Sequence, residues 1–427
     1  MGQSEPFIKT ELDNELTVLV KEAHTAPVAS FWVWYRVGSR NEHLGITGIS
    51  HWVEHMLFKG SEAFPKGSVD RAIAREGGTF NGMTWYDLTT YFITLPAPRI
   101  DLALEIEADR MDKAIFDPQE VDAERTVIIS ERQGAENDPS FLLSEKLLAT
   151  AFHAHPYGVN TLGHMCDLET ITREELYHHY RTYYAPQNAL AIAVGDFEAE
   201  AMLDQVERHF GGIENGPPVP QVTAVEPPQQ GERRVIVEGE GRVAYLKAAF
   251  RAPSVHESDF FALTALDAAL TGASGLTFFG GGNTNKSSRL YKALVDGGLA
   301  ISIDGSLLPT IDPFIYRLSA VARSGQTAGE VEAAMEAELT RLIEHPITQQ
   351  ELEKAIKQTK AQFAYSSESV TGQALWLGFS EIFADYTWFE SYIDNLSAVT
   401  VEDVQRVAQT YLQPSNRSVG WYVPHAS

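Results

Sequence analysis

The stretch between Glu214 and Arg233 cannot belong to a packed core. It holds Pro217, Pro218, Pro220, Pro227 and Pro228 among several Gln and Gly residues. Each proline fixes φ and lacks a backbone donor, so the segment reads as a semi-extended connector. It leaves two near-equal parts, 1–213 and 234–427. A chain of 427 residues, 44% of them hydrophobic, is longer than one ordinary core supports and fits two domains of about 200 residues each.

The two parts read as diverged copies of one plan. Each opens on β-rich segments, Leu16–Val20 and Ser30–Val37 in the first, Arg234–Glu238 and Ala244–Phe250 in the second. A helical stretch follows, then an alternating strand pair: Gly78–Met83 with Thr89–Leu95, and Ala300–Ser306 with Pro313–Val321. Long amphipathic helices come next, Ile100–Lys113 and Ala328–Glu344, each followed by a proline step and another helix. Thr348-Gln349-Gln350-Glu351 has the capping-box pattern at the start of one of these. Each part closes on a helix and a final strand, Leu190–Val194 and Ser418–Val423. Strands and helices mix without strict βαβ alternation, which predicts an α+β fold of two similar domains, each a mostly antiparallel sheet packed with helices.

Composition narrows the function. The formal charge of −25 disfavours nucleic acid as a partner. No run approaches the roughly 20 apolar residues of a membrane span, so a soluble chain is expected. Met-Gly-Gln-Ser-Glu-Pro at the start has neither a basic segment nor an apolar one behind it, so no signal peptide is read. The cytoplasm and a bacterial periplasm both fit. One cysteine, Cys166, excludes an internal disulfide and a cysteine-based zinc cage, and it reads as an inert side chain.

The chemistry concentrates in Ser50-His51-Trp52-Val53-Glu54-His55-Met56-Leu57-Phe58. On a helix, His51 and His55 stand one turn apart on one face, where two imidazoles can share a metal ion. Glu54 lies beside them, the inverted form of His-Glu-x-x-His. Ile49, Trp52, Val53, Met56, Leu57 and Phe58 make this helix largely buried, and buried polar groups need partners, which a metal supplies. Two histidines plus a carboxylate also suit iron or manganese; zinc is the default for hydrolysis. The third ligand is expected in Glu124-Arg125-Thr126-Val127-Ile128-Ile129-Ser130-Glu131. Glu124 and Glu131 are two turns apart and share a face, so one can bind metal while the other supports it. Zinc brings the pKa of a bound water from about 15.7 to about 7, and Glu54 is placed as the general base that takes its proton.

At these residues the chain resembles the pitrilysin-type metallopeptidases, in particular the short-chain branch that includes the β subunit of mitochondrial processing peptidase. His51-x-x-Glu54-His55 is followed by Phe58-Lys59-Gly60-Ser61, and His155-Pro156-Tyr157-Gly158 and Tyr183-Tyr184-Ala185-Pro186-x-Asn188 match further landmarks. The resemblance spans nearly the whole chain. It implies Zn2+ held by His51, His55 and Glu131, with Glu124 as a supporting carboxylate and Glu54 as base. It also implies that peptides are held in a clamshell chamber by adding a strand to an edge of the first domain. The matching edge is Gly78–Thr84, so Asn81 and Gly82 are expected to bind substrate, with Phe58 shaping the pocket beyond the scissile bond. The family has Ala at the position of Gly82.

A second departure bears on partners. Active members of the family take an Arg and a Tyr from the clamshell half opposite the metal. Here those positions read Leu294 and Ile301, and the second half has no His-x-x-Glu-His. The expectation is a heterodimer whose homologous partner supplies the pair. A non-catalytic scaffold subunit and a self-sufficient homodimer are the competing readings. Gly280–Gly282 and Asn283-Thr284-Asn285-Lys286 only faintly suggest a phosphate loop, because Asn285 stands where glycine must precede the lysine. The His-rich stretch His153, His155, His164, His178 and His179 is read as structural.

Overall fold

The computed structural model describes residues 7–273 and 286–425, so the Gly280–Gly282 run lies outside the described residues. Strands in the first part are β1 (Ile8–Glu11), β2 (Thr17–Glu22), β3 (Val28–Tyr35), β4 (Thr79–Thr84), β5 (Thr89–Pro96) and β6 (Ala189–Gly195). Those in the second are β7 (Arg233–Gly239), β8 (Tyr245–Arg251), β9 (Ala300–Leu307), β10 (Ile315–Ala322) and β11 (Arg417–Pro424). Helices α1 (Ile49–Met56), α2 (Ser68–Arg75), α3 (Asp101–Lys113), α4 (Pro118–Glu136) and α5 (Pro139–Ala151) come first. Then come α6 (Met165–Thr170), α7 (Arg173–Tyr183), α8 (Ala199–Phe210) and α9 (Asp259–Leu270). The last are α10 (Ala328–Glu344), α11 (Gln349–Ser366), α12 (Val370–Phe383), α13 (Tyr386–Ala398) and α14 (Val401–Tyr411).

The strands form two sheets, ordered β1-β2-β6-β3-β5-β4 and β7-β11-β8-β10-β9. Leaving β1 aside, the two orders are the same. In each, one parallel pair (β2 with β6, β7 with β11) is followed by antiparallel neighbours. The fold is the expected α+β pair of similar domains. The repeat even keeps residue-level register at its end. Thr172 and Thr400 cap α7 and α14 with capping boxes, and Asn188 and Asn416 follow at equal distances. Asn188 donates to the carbonyls of Tyr183 and Arg36, and Asn416 donates to those of Tyr411 and Arg251. Each ties the end of a helix to the end of a central strand. The Thr348–Glu351 box forms at the start of α11.

Two compact units result. One comprises Met1–Arg132, Val159–Thr223 and Ser367–Ile382; the other comprises Gln133–Gly158, Ala224–Ser366 and Phe383–Ser427. Their main boundary falls inside the proline-rich stretch. A division at that stretch alone does not capture residues 133–158 and 367–382, which join the unit remote from them in sequence. The reason is packing. In the first unit, α12 brings Gly378 against the Trp34 indole, where a Cβ would sit 2.0 Å from Trp34 Cε2, and Phe379 meets Trp34 edge-on at 5.2 Å. In the second, α5 packs on β7, β11 and β8, with Leu143 filling the space above Gly420.

Candidate metal centre

Helix α1 is fixed at its start. Glu42 accepts from the backbone N–H of Gly48 at 2.7 Å and of Ser50 at 2.9 Å, satisfying donors that a helix N-terminus leaves open. Ile49, Trp52, Val53 and Met56 are buried in the first unit's core. That burial turns His51 and His55 to a common side, with ring centroids 4.6 Å apart. Helix α4 runs opposite. Its Glu131 Oε2 lies 3.8 Å from His51 Nε2 and 3.6 Å from His55 Nε2.

The three donor atoms lie within 4.8 Å of one another, and among the described residues no other group of three or more His, Cys, Asp or Glu side chains does so. Ligands about 2.0–2.2 Å from a tetrahedral zinc stand roughly 3.3 Å apart, so the observed spacing needs only a small contraction. Two more observations fit a cation. His55 Nδ1 bonds Glu124 Oε1 at 2.8 Å, which turns Nε2 toward Glu131 in the manner of carboxylate-oriented metal ligands. Burial would lower the basicity of His55, yet the Glu124 hydrogen bond and the Glu131 and Glu54 charges outweigh it and raise its pKa. The carboxylates thus favour positive charge at this spot. At His51, burial and the neighbouring His55 bring the pKa down to about 3, which keeps that imidazole neutral and able to ligate.

Glu54 is 8% exposed. Burial pushes its carboxyl above the usual range, against a hydrogen bond with Thr84. Glu124 is also buried, but hydrogen bonds with His55 and Lys59 outweigh burial and hold its carboxyl below the usual range. Lys59 pairs with Glu124 Oε2. Sequence reasoning gave Lys59 no role; it stands four residues after His55, just past the end of α1.

Asn81 and Gly82 lie on β4, the terminal strand of the first sheet. A Cβ at Gly82 would fall 2.9 Å from Phe58 Cζ and 3.1 Å from Tyr91 Cδ1. Glycine at this position therefore makes room for the Phe58 ring under the edge strand. Phe58 also contacts Phe80 and sits beneath the Arg110 guanidinium, 4.9 Å from the ring. Leu294 is buried, whereas Ile301 is 56% exposed on β9. His155 pairs with Asp312 and His179 bonds Ser50. Its hydrogen bond with Asp167 raises the Cys166 thiol, away from the reactive thiolate.

Two family models match the chain in succession, the insulinase model of peptidase family M16 over residues 17–164 and the M16 inactive-domain model over 170–359. The chain belongs to peptidase family M16. It is 29% identical to the zinc protease PqqE of Helicobacter pylori, over 92% of this chain and 87% of that protein. It is 26% identical to a probable mitochondrial-processing peptidase subunit beta of Arabidopsis thaliana, over 94% of this chain and 76% of that one. A crystal structure of a Helicobacter pylori protease superposes with a TM-score of 0.93 at 28% identity, covering 99% of this chain and all of the other. An M16 inactive domain from Pseudomonas fluorescens shares the fold, with a TM-score of 0.87 at 17% identity, over 99% and 98% of the two chains. No helix among the described residues is long and apolar enough to cross a membrane.

Proposed function

We propose that this chain is the zinc-bearing subunit of a peptidase that cuts peptides or unfolded segments internally. The observation that carries the reading is the convergence of His51, His55 and Glu131 beside a buried Glu54. Bound there, zinc would supply Lewis acidity and a water acidic enough to lose a proton near neutral pH. Glu54, with its raised proton affinity, takes that proton and returns it to the leaving amine. Glu124 and Lys59 hold the His55 ring in its ligating orientation. The free edge of β4 offers its backbone to an extended peptide, and main-chain pairing of this kind tolerates many sequences. Asn81 and Gly82 lie along that edge, with Phe58 beneath.

The working enzyme is a heterodimer in this reading. A homologous chain closes the chamber and brings the Arg and Tyr that Leu294 and Ile301 do not provide. The relative named as a mitochondrial-processing peptidase subunit beta supports a two-subunit arrangement. The test is hydrolysis of a long fluorogenic peptide by the zinc-loaded chain alone, with a chelator control. No cleavage, with zinc bound, is expected until a partner is added. Chelator-sensitive cleavage by the chain alone would replace the heterodimer by a self-sufficient enzyme. Absence of cleavage with any homologous partner from the same source would favour a scaffold.

A further inference from the structure

On the second unit's sheet, Ser319 of β10 stands directly opposite Lys247 of β8 on one side and Asp304 of β9 on the other. Directly opposed residues project to one face, and Arg317, two residues before Ser319, projects to it as well. This is the face that α5 covers, because Lys247 Nζ donates to the Ser140 carbonyl and Oγ, each at 2.8 Å, and also bonds Ser144 Oγ. Helix α5 packs on β7, β11 and β8. Toward β10 and β9 the face becomes polar: Ser302, Ser306, Arg317 and Ser319 are half-buried and Asp304 is exposed. The opposite face of the same two strands buries Ile303, Leu307, Leu318 and Ala320.

Two donors on this floor lack partners. Arg317 Nε and Ser319 Oγ are buried and meet no hydrogen-bond acceptor or donor. Leaving a buried polar atom unsatisfied is costly, more so when the group is charged. Lys247 and Arg317 stand here with Asp304 and Asp138, whose charges both act on Lys247. Burial, and then the charge of Arg317, bring the Lys247 ammonium down to about 7. All three Lys247 protons are spent on α5, so the free donors belong to Arg317 and Ser319. A guanidinium beside a hydroxyl matches the planar, two-oxygen geometry of a carboxylate.

We propose that Arg317 and Ser319 form a carboxylate-binding subsite, taking an acidic side chain or the C-terminal carboxylate of a bound peptide. The subsite rests on the peptidase reading for its ligand but not on the zinc chemistry. The test therefore measures binding, using the full-length chain carrying Glu54→Gln. Anisotropy would follow fluorescein-labelled peptides of one sequence in four forms: Glu or Gln inside, free acid or amide at the end. The carboxylate forms are expected to bind about tenfold more tightly than their neutral counterparts, and Arg317→Gln should erase that difference. Loss of the Glu/Gln difference assigns the side chain, and loss of the acid/amide difference assigns the terminus. Ser319→Ala serves as a second variant, expected to reduce the preference about threefold, should Arg317→Gln melt lower than the parent. Equal binding of all four peptides to the parent, or an unchanged preference in both variants, overturns the subsite. If the preference is present while the zinc-loaded parent cleaves nothing even with a partner, the catalytic reading fails and the subsite stands.

Discussion

Helix α1 in the first unit and helix α9 in the second occupy matching places. Each follows the central antiparallel strand in sequence and packs against the terminal strand of its sheet, β4 or β9, and against the repeated helix, α7 or α14. Both bury a carboxylate. In α9 it is Asp267, whose Oδ1 accepts from Tyr316 Oη at 2.8 Å and Thr271 Oγ1 at 2.7 Å, within a helix otherwise lined by Phe260, Leu263, Leu266 and Leu270. Its demand is met by protein atoms. In α1, Glu54 is accompanied by two imidazoles, and buried His51 Nδ1 has no hydrogen-bond partner. One position in the repeat has been closed with hydroxyls and hydrocarbon. The other gathers more ligating groups than the protein itself satisfies. Both units share one scaffold, and the chemistry depends on what that scaffold leaves unsatisfied.

The contrast can be broken most severely at the ligands. His51→Ala should lose stoichiometric zinc, measured by elemental analysis after dialysis, and with it all hydrolysis. Full zinc retention would remove His51 from the ligand set. Glu54→Gln should keep its zinc and lower the turnover of the complete enzyme by about 10²–10⁴-fold; parental turnover would end its assignment as base.

At the matching place in the second unit the expected effect is on stability. Burial raises the Asp267 carboxyl to about 6 from an ordinary 3.8, against its two hydrogen bonds. The native state therefore holds a proton that the unfolded chain has lost. Stability contributed at this site is present below about pH 4 and declines as pH rises through about 6, by roughly 3 kcal/mol at 1.36 kcal/mol per pKa unit. Asp267→Asn should flatten that decline, seen as a smaller difference between urea midpoints at pH 4.5 and pH 7.5. An unchanged difference would show that Asp267 ionises freely.

Two smaller effects sharpen the picture. Lys59→Met frees Glu124 and should weaken zinc affinity about 10–100-fold, as loss of an outer partner to a metal ligand typically does. A competition titration with a chromogenic chelator reads this directly, and parental affinity would reduce Lys59 to a surface ion. Gly82→Ala forces the Phe58 and Tyr91 rings aside and should cost about 1 kcal/mol of stability. In the complete enzyme it should also change KM more than kcat. A shift in neither melting temperature nor KM would mean that the rings yield freely.

Much of this was legible in the residues. Strand alternation, proline punctuation and the i, i+4 histidines are local signals, and they mark the two sheets, the long helices and the side of α1 on which His51 and His55 meet. What escaped depends on distance along the chain. Nothing near Gly378 says that its missing Cβ serves Trp34, more than three hundred residues earlier. Nothing in α5 announces that Ser140 and Ser144 will hold Lys247. Lys59 lies just past the end of α1, and its partner Glu124 lies on another helix. The paired Thr172–Asn188 and Thr400–Asn416 signatures, with Thr182, Tyr183 and Pro186 recurring between them as Thr410, Tyr411 and Pro414, escaped because most of the other residues there differ.

Helix α12 carries a consequence for how the protein comes into being. It belongs to the unit that carries His51, His55 and Glu131, yet it follows most of the second unit in sequence. Until residues 367–382 leave the ribosome, the Trp34 indole, at one end of a row in which Trp32 stacks between it and Phe92, lacks its contacts with Gly378 and Phe379. A nascent chain that already contains His51, His55 and Glu131 thus still has an open aromatic face. Synthesis itself delays completion of the first unit's core, and a chain cut short before α12 would leave that face open.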